Sequence, residues 1–296
     1  MFATPPLLVP GDTVTAIAPS GALSETAALE AGLNIWRSHG YEVKLGLNYD
    51  RRSGYLAGDD NARREALKDA WCDPKCKAIL CIRGGYGGAR LLEDWQWNLG
   101  SDRASKWIIG FSDATALLWS LATIGIASLH APVLTTLERE PQWSQERMFT
   151  YLQTGKLEPL QGKSWQTGTV SGILLPANLT VATHLLKTPL QPSFDGVILA
   201  LEDVTEYPYR IDRMLTQWRL SNAFTGVKGI ALGRFSRCEP YPGSHSWKVE
   251  EVLRDRLLDL GIPIVADLPF GHDGANVVLP VGQTVTLNGD RGILVF

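Results

Sequence analysis

Serine, acid and histidine occur along this chain in the order Ser112, Glu202, His272, one of the chain orders known for a hydrolase triad. Ser112 stands in Gly110-Phe111-Ser112-Asp113-Ala114, between apolar Trp107-Ile108-Ile109 and a helix-like run from Ala114 to Ala122. Strand, sharp turn and helix, with a serine at the turn, is the arrangement of a nucleophile elbow, which lifts Oγ clear of a sheet. Such a turn has little room two residues before and after the serine, where this chain has Gly110 and Ala114, the alanine departing from the usual glycine. The same residues also read as a helix N-cap serine followed by an acidic first-turn residue. Glu202 follows the apolar run Val197–Leu201, and a carboxylate at a strand end can accept a hydrogen bond from an imidazole. Asp203 and Glu206 compete for that role, and Arg210 and Arg213 offer an ordinary ion pair instead. His272 lies in Pro269-Phe270-Gly271-His272-Asp273-Gly274-Ala275-Asn276, where glycines on both sides free the backbone and leave the ring accessible. Together the three residue types suit covalent acyl transfer.

The elements that must position these groups are legible as an alternation. Strand-like Thr13–Ala18, Tyr41–Leu45, Lys77–Ile82 and Trp107–Ile109 are separated by helix-like Ser24–Ser38, Asp59–Trp71 and Ala89–Leu92. Strands separated by helices indicate a parallel, doubly wound sheet, in which ligands bind outside the carboxyl ends of the strands. Ser112 falls at that edge. So does Arg83-Gly84-Gly85-Tyr86-Gly87-Gly88, which is either a tight turn or a row of backbone N–H groups for an anion. It is not a Walker loop, since no Gly-Lys-Ser/Thr follows, and Arg90 stands where a dinucleotide fingerprint needs its third glycine.

The polar, turn-rich stretch around Leu160–Gly172 marks a composition shift, and the expected domains are residues 1–165 and 166–296. The second half reads as α/β with more sheet than the first. Its strands are expected at Thr169–Leu174, Val197–Leu201, Gly229–Gly233 and Ile264–Asp267, with a strand-rich tail through Val277–Leu279, Val285–Leu287 and Ile293–Val295. Helices are expected at Thr180–Lys187, Arg210–Asn222 and Lys248–Leu260.

Bulk properties narrow the class. A net charge of −3 over 296 residues gives no reason to expect nucleic acid or an anionic membrane as partner. No apolar run approaches the ~20 residues of a membrane span, and the first eleven residues have no basic group, so a cytoplasmic protein is expected. Cys72, Cys76 and Cys81 match no common zinc spacing and the five histidines are scattered, so neither a metal nor another cofactor is expected.

Four segments taken together resemble the LD-carboxypeptidases, the serine peptidase family that includes murein tetrapeptide carboxypeptidase. They are Arg83-Gly84-Gly85-Tyr86-Gly87, Gly110-Phe111-Ser112-Asp113, Leu201-Glu202-Asp203-Val204 with Pro208-Tyr209-Arg210-Ile211-Asp212-Arg213, and Gly271-His272 with Asn276. Where family members often have Gly-Gly-Asn-Leu, this chain has Pro176-Ala177-Asn178-Leu179. The resemblance implies a flavodoxin-like parallel-sheet first domain and a swivelling β/β/α second domain. It implies Ser112 as nucleophile, His272 as general base and Glu202 as its orienting acid. The activity implied is cleavage of the L,D-peptide bond to the terminal D-alanine of peptidoglycan-derived tetrapeptides, in cytoplasmic cell-wall recycling. Homodimers are common in that family.

With that activity in view, the backbone N–H groups of Asp113 and Gly85 are the candidate oxyanion donors. Arg83, Arg210 and Arg213 are candidate cations for the substrate carboxylate, although the two helix arginines have Asp203, Glu206 and Asp212 as alternative partners. Tyr86 and His130 are further candidates for contact with substrate, His130 reading equally as a core histidine. A sister activity, an amidase acting on aminoacyl-nucleotide conjugates, keeps the triad and adds an aromatic that stacks on a base, for which Trp143 and Trp165 are candidates. A non-catalytic module binding phosphate on the Gly-rich loop is the distant alternative.

Overall fold

The computed structural model describes residues 2–97 and 106–296. In the first unit β1 (Thr13–Ile17), β2 (Glu42–Leu45), β3 (Cys76–Cys81), β4 (Trp107–Gly110) and β5 (Ser128–His130) lie parallel in the order β2-β1-β3-β4-β5. That order is the flavodoxin-like one. Every residue of β1, β4 and β5 is buried, while β2 at the edge alternates between exposed and half-buried. Full burial follows from helices covering both faces of a parallel sheet. The helix Thr115–Thr123 buries all its residues up to Ala122, which is why its sequence is apolar all round rather than striped.

The division between units differs from the sequence expectation. The first unit ends at Lys156 and regains Val277–Gly282, and the second comprises Leu157–Asn276 and Gln283–Phe296. The stretch expected to link them holds two short strands, β6 (Leu160–Gln161) and β7 (Lys163–Gln166). Both lie at the outer edges of the second sheet; Leu160 is buried, but Gln161, Lys163 and Ser164 are exposed, so the pair lacks the apolar signature of a strand.

The remaining strands are β8 (Thr169–Asn178), β9 (Val197–Val204), β10 (Gly229–Ser236), β11 (Ile264–Ala266), β12 (Leu279–Val281), β13 (Thr284–Asn288) and β14 (Ile293–Val295). β12 pairs antiparallel with β5 in the first sheet; nothing local to Val277–Leu279 tells which sheet it joins. The second sheet runs β6-β14-β13-β8-β9-β10-β11-β7. Its centre, β8 to β11, is parallel, and its flanks are antiparallel. Helices Leu179–Leu185, Pro208–Leu220 and Val249–Leu257 follow β8, β9 and β10. Pro208 begins the second of these at a position where a missing N–H costs nothing. Trp218 on that helix stacks on Phe194 at 5.4 Å and donates Nε1–H to Thr183 at 2.8 Å.

Cys76, Cys81 and Cys238 are buried, and burial pushes the Cys81 and Cys238 thiols up to about 12, which keeps them unreactive. Among the described residues no helix is long and apolar enough to cross a membrane.

One fully buried side chain ties the first unit's loops together. Arg63 Nη1 donates to the Pro19 carbonyl after β1, at 2.5 Å, and to the Gly87 carbonyl after β3, at 2.9 Å, while Nη2 meets Asp60. Arg63→Met removes donors from buried acceptors, and a stability loss of roughly 2–4 kcal/mol is expected from the denaturant midpoint. An unchanged midpoint would show that the loops are held by other contacts.

Candidate active site

At the end of β4 the backbone takes an unusual turn. Phe111 is extended, Ser112 has φ +61°, and a 3₁₀ turn Ser112–Ala114 runs into the helix Thr115–Thr123. A helix N-cap has extended φ, so Ser112 takes the elbow conformation, which costs a residue with a Cβ about 1–3 kcal/mol. The elbow fits because Gly110 has no side chain: a Cβ there would stand 2.9 Å from the Ala114 Cβ and 2.9 Å from Cys81 Sγ. Ala114 is tolerated opposite because Gly110 leaves it that space.

The Gly-rich loop after β3 folds over this turn. A Cβ on Gly84 would lie 3.0 Å from Ser112 Oγ and 3.8 Å from the Asp113 nitrogen. Any side chain at 84 would therefore fill the space above the hydroxyl. Gly85 has φ +112°, a conformation that residues with side chains avoid. The Asp113 carboxyl is buried, which pushes it above the usual range, and it accepts the Gly88 N–H at 2.7 Å. Its side chain thus anchors the loop whose backbone faces Ser112. Gly21, after β1, donates its N–H to the Gly84 carbonyl at 3.2 Å, so three loops converge at the carboxyl edge of this sheet.

The other candidates in this unit have varied surroundings. Arg83 Nη1 donates to the Ala22 carbonyl at 2.5 Å and to Ser24 Oγ at 3.2 Å. Tyr86 is exposed, its ring 5.9 Å from that of exposed Tyr55. His130 has no exposed surface; it pairs with Gly110 in the sheet, and its ring meets Phe111 edge-on at 5.8 Å. That is the core placement of the two weighed for it. Trp143 is exposed.

In the second unit the acid and histidine meet. Glu202 Oε2 lies 2.7 Å from His272 Nδ1. The carboxylate is fully buried and the histidine side chain 15% exposed. A proton on Nδ1 donates to Glu202 and leaves Nε2 as the basic nitrogen. Glu202 lies within β9 rather than just beyond it, because β9 continues to Val204. Parallel pairing with β8 sets Asn178 beside it, and Asn178 Nδ2 donates to Glu202 Oε1 at 3.2 Å.

The two rival acids are engaged elsewhere. Asp203 accepts from Asn178 and Val204 on Oδ1, at 3.0 and 2.8 Å, and from the Thr180 N–H and hydroxyl on Oδ2, at 2.9 and 2.8 Å. Burial, with the neighbouring Glu202 charge, pushes its carboxyl up to about 6. Glu206 pairs with Arg210 at 3.3 Å. Arg210 also lies 5.6 Å from the Tyr207 ring centre, and Arg213 5.9 Å from that of Tyr209. The face of Trp165 is covered by the Arg254 guanidinium at 4.1 Å.

Residues that the spacing does not mark hold the histidine loop. Arg234 Nη1 donates to the Asp273 and Ala275 carbonyls at 3.1 and 2.8 Å, and its N–H donates to the Phe270 carbonyl at 2.8 Å. It sits where the β9–β10 register slips between Leu232 and Phe235, a bulge that re-aims a side chain. Asn276 Oδ1 accepts the Gly271 N–H at 3.1 Å. Gly271 has φ +127°, and a Cβ there would stand 2.9 Å from the Arg234 carbonyl. The glycines around His272 are the one sign of this close approach that the sequence carries. Among the described residues no three His, Cys, Asp or Glu side chains are grouped to hold a metal ion.

Residues 14–131 match the LD-carboxypeptidase N-terminal domain, and residues 171–287 match the LD-carboxypeptidase C-terminal domain. A Synechocystis sp. protein, provisionally named a carboxypeptidase, is 60% identical over 100% of this chain and 97% of its own. The murein tetrapeptide carboxypeptidase of Pseudomonas aeruginosa is 33% identical over 94% of each chain. The crystal structure of muramoyltetrapeptide carboxypeptidase from Oxalobacter formigenes is 30% identical, with a TM-score of 0.84 over 95% of this chain and 97% of that one.

The turn and the buried acids have measurable consequences for stability. Ser112→Gly should be about 1 kcal/mol more stable to denaturant than Ser112→Ala, since glycine relieves the left-handed φ; equal midpoints would show the turn to be unstrained. Asp203 is raised from 3.8 to about 6 in the fold, so its contribution to stability is present below 3.8 and lost as pH rises through about 6. That loss amounts to at most about 3 kcal/mol. Asp203→Asn should flatten this fall in urea titrations across the window, and an unchanged slope would contradict it.

With both domains matched and relatives aligned along nearly its whole length, the chain belongs to the LD-carboxypeptidase family.

Proposed function

We propose that this chain is a serine-type carboxypeptidase that releases the terminal D-alanine from peptidoglycan-derived tetrapeptides, in cytoplasmic recycling of cell-wall peptides. The observation that carries this reading is the buried Glu202 carboxylate 2.7 Å from His272 Nδ1, which supports Nε2 as the base. The left-handed turn at Ser112 supports the serine as its partner, and the Pseudomonas relative's name supports the substrate.

In this reading Ser112 Oγ attacks the carbonyl of the L-centre that precedes D-alanine, and His272 Nε2 takes its proton. Glu202 holds the imidazole tautomer and stabilises the imidazolium. The backbone N–H groups of Asp113 and Gly85 receive the developing oxyanion; one such donor is worth about 3–4 kcal/mol in the transition state. His272 returns the proton to the departing D-alanine nitrogen, and water activated by the same ring hydrolyses the acyl-enzyme. No step calls for a cofactor. A carboxypeptidase also needs a cation for the substrate's terminal carboxylate. Arg83 is favoured over Arg210, since it precedes the Gly84-Gly85 turn while Arg210 is paired with Glu206. Tyr86, exposed on the same loop, is positioned by sequence to contact the peptide.

The test is release of free D-alanine from L-Ala-γ-D-Glu-meso-diaminopimelate-D-Ala. Ser112→Ala should lower kcat roughly 10⁴–10⁶-fold with an unchanged circular dichroism spectrum. Glu202→Gln should lower it by about 10⁴. Activity retained in Ser112→Ala would remove the serine mechanism. No release by the wild-type protein, with turnover of an aminoacyl-adenylate conjugate, would replace the carboxypeptidase with the amidase.

A further inference from the structure

We propose that Asp203 is a positioning residue for the Glu202–His272 pair and acts through the Asn178 carboxamide; this rests on the catalytic reading of that pair. Successive side chains of a strand point to opposite faces, so adjacent carboxylates do not ordinarily share a partner. Here Asn178 Nδ2 reaches both, at 3.2 Å to Glu202 and 3.0 Å to Asp203. An amide nitrogen carries two N–H groups, one for each acid, while Asn178 Oδ1 accepts the Val181 N–H at 3.1 Å and caps the helix Leu179–Leu185. Rotating the amide would turn its oxygen onto two carboxylates, so its orientation is determined.

Asp203 in turn is held by four donors, from Asn178, Val204 and twice from Thr180. These occupy the roughly four lone-pair directions of a carboxylate. The chain of restraint runs from Thr180 through Asp203 and Asn178 to Glu202 Oε1, leaving Oε2 for His272 Nδ1. Without the acceptor at 203, the buried Asn178 amide loses one of the bonds that orient it and can turn away from Glu202. Keeping this acid has a cost, because burial beside Glu202 raises its pKa.

The test uses the full chain with Asp203→Ala, which removes the acceptor, Asn178→Ala, the double variant and Thr180→Val. Each single change at 203 or 178 should lower kcat for the tetrapeptide about 10–100-fold, with KM within about twofold. The double variant should be no slower than the slower single, since both cut one linkage. A double variant slower by the product of the two factors, or Asp203→Ala at wild-type kcat, overturns the proposal. A second readout needs no substrate: the hydrogen-bonded His272 Nδ1 proton in the far-downfield NMR spectrum. It should shift or exchange away in Asp203→Ala and Asn178→Ala and persist in Ser112→Ala. An unmoved proton in Asp203→Ala refutes the linkage even if D-alanine is never released, which separates this failure from failure of the tetrapeptide reading. Should Asp203→Ala not fold, Thr180→Val removes one donor from Asp203 while leaving Glu202 untouched. A shifted proton there supports the linkage, and an unshifted one refutes it.

Discussion

A carboxylate with no exposed surface, Glu202, is the constraint around which the second unit is arranged. A buried charge of this kind is costly unless hydrogen-bonded. Its two oxygens meet Asn178 and His272. The first partner is delivered by strand register, since β8 and β9 pair Asn178 with Glu202. The second is delivered by a loop that Arg234 and Asn276 clamp into shape. Moving the register by one residue would replace Asn178 and leave the acid without its amide donor. The parallel centre of this sheet, the bulge in β10 and the glycines of the histidine loop therefore serve one acid–imidazole pair.

The first unit is organised by strain rather than by charge. Ser112 sits at φ +61°, and the surrounding residues are small wherever the turn demands it. Gly110 yields to Ala114 and Cys81, and Gly84 yields to Ser112 itself. The Asp113 side chain and Arg63 then hold the Gly-rich loop from two directions. A serine held in the left-handed region and braced by buried polar groups is the feature on which the proposed role of Ser112 rests.

Much of this arrangement is legible in the amino-acid sequence. The strand-turn-helix around Ser112 is visible because its apolar runs and small residues are contiguous. Alternation of strand and helix is legible for the same reason, and it leads to the parallel first sheet. The division between units falls elsewhere than expected because β6 and β7 are short edge strands whose composition resembles a linker. β12 joins the first sheet although its sequence neighbours lie in the second, since a strand of three buried residues has no feature that names its partner. Glu202, Asp203 and Glu206 are equivalent by spacing, and only their partners separate them: His272 for the first, Thr180 and Asn178 for the second, Arg210 for the third. His130 carries two readings in sequence, and its burial places it in the core.

The chain's own order of residues determined the chemical vocabulary: a serine at a tight turn, an acid after an apolar run, a histidine between glycines, and a Gly-rich loop at a strand end. Those are local properties, set by side-chain volume and backbone freedom within a few residues. Tertiary structure decided which acid meets the imidazole, which amide steadies that acid, and which arginine shapes the loop. Each of those choices is a contact between segments distant in sequence, and follows from register and burial that no short window of sequence contains.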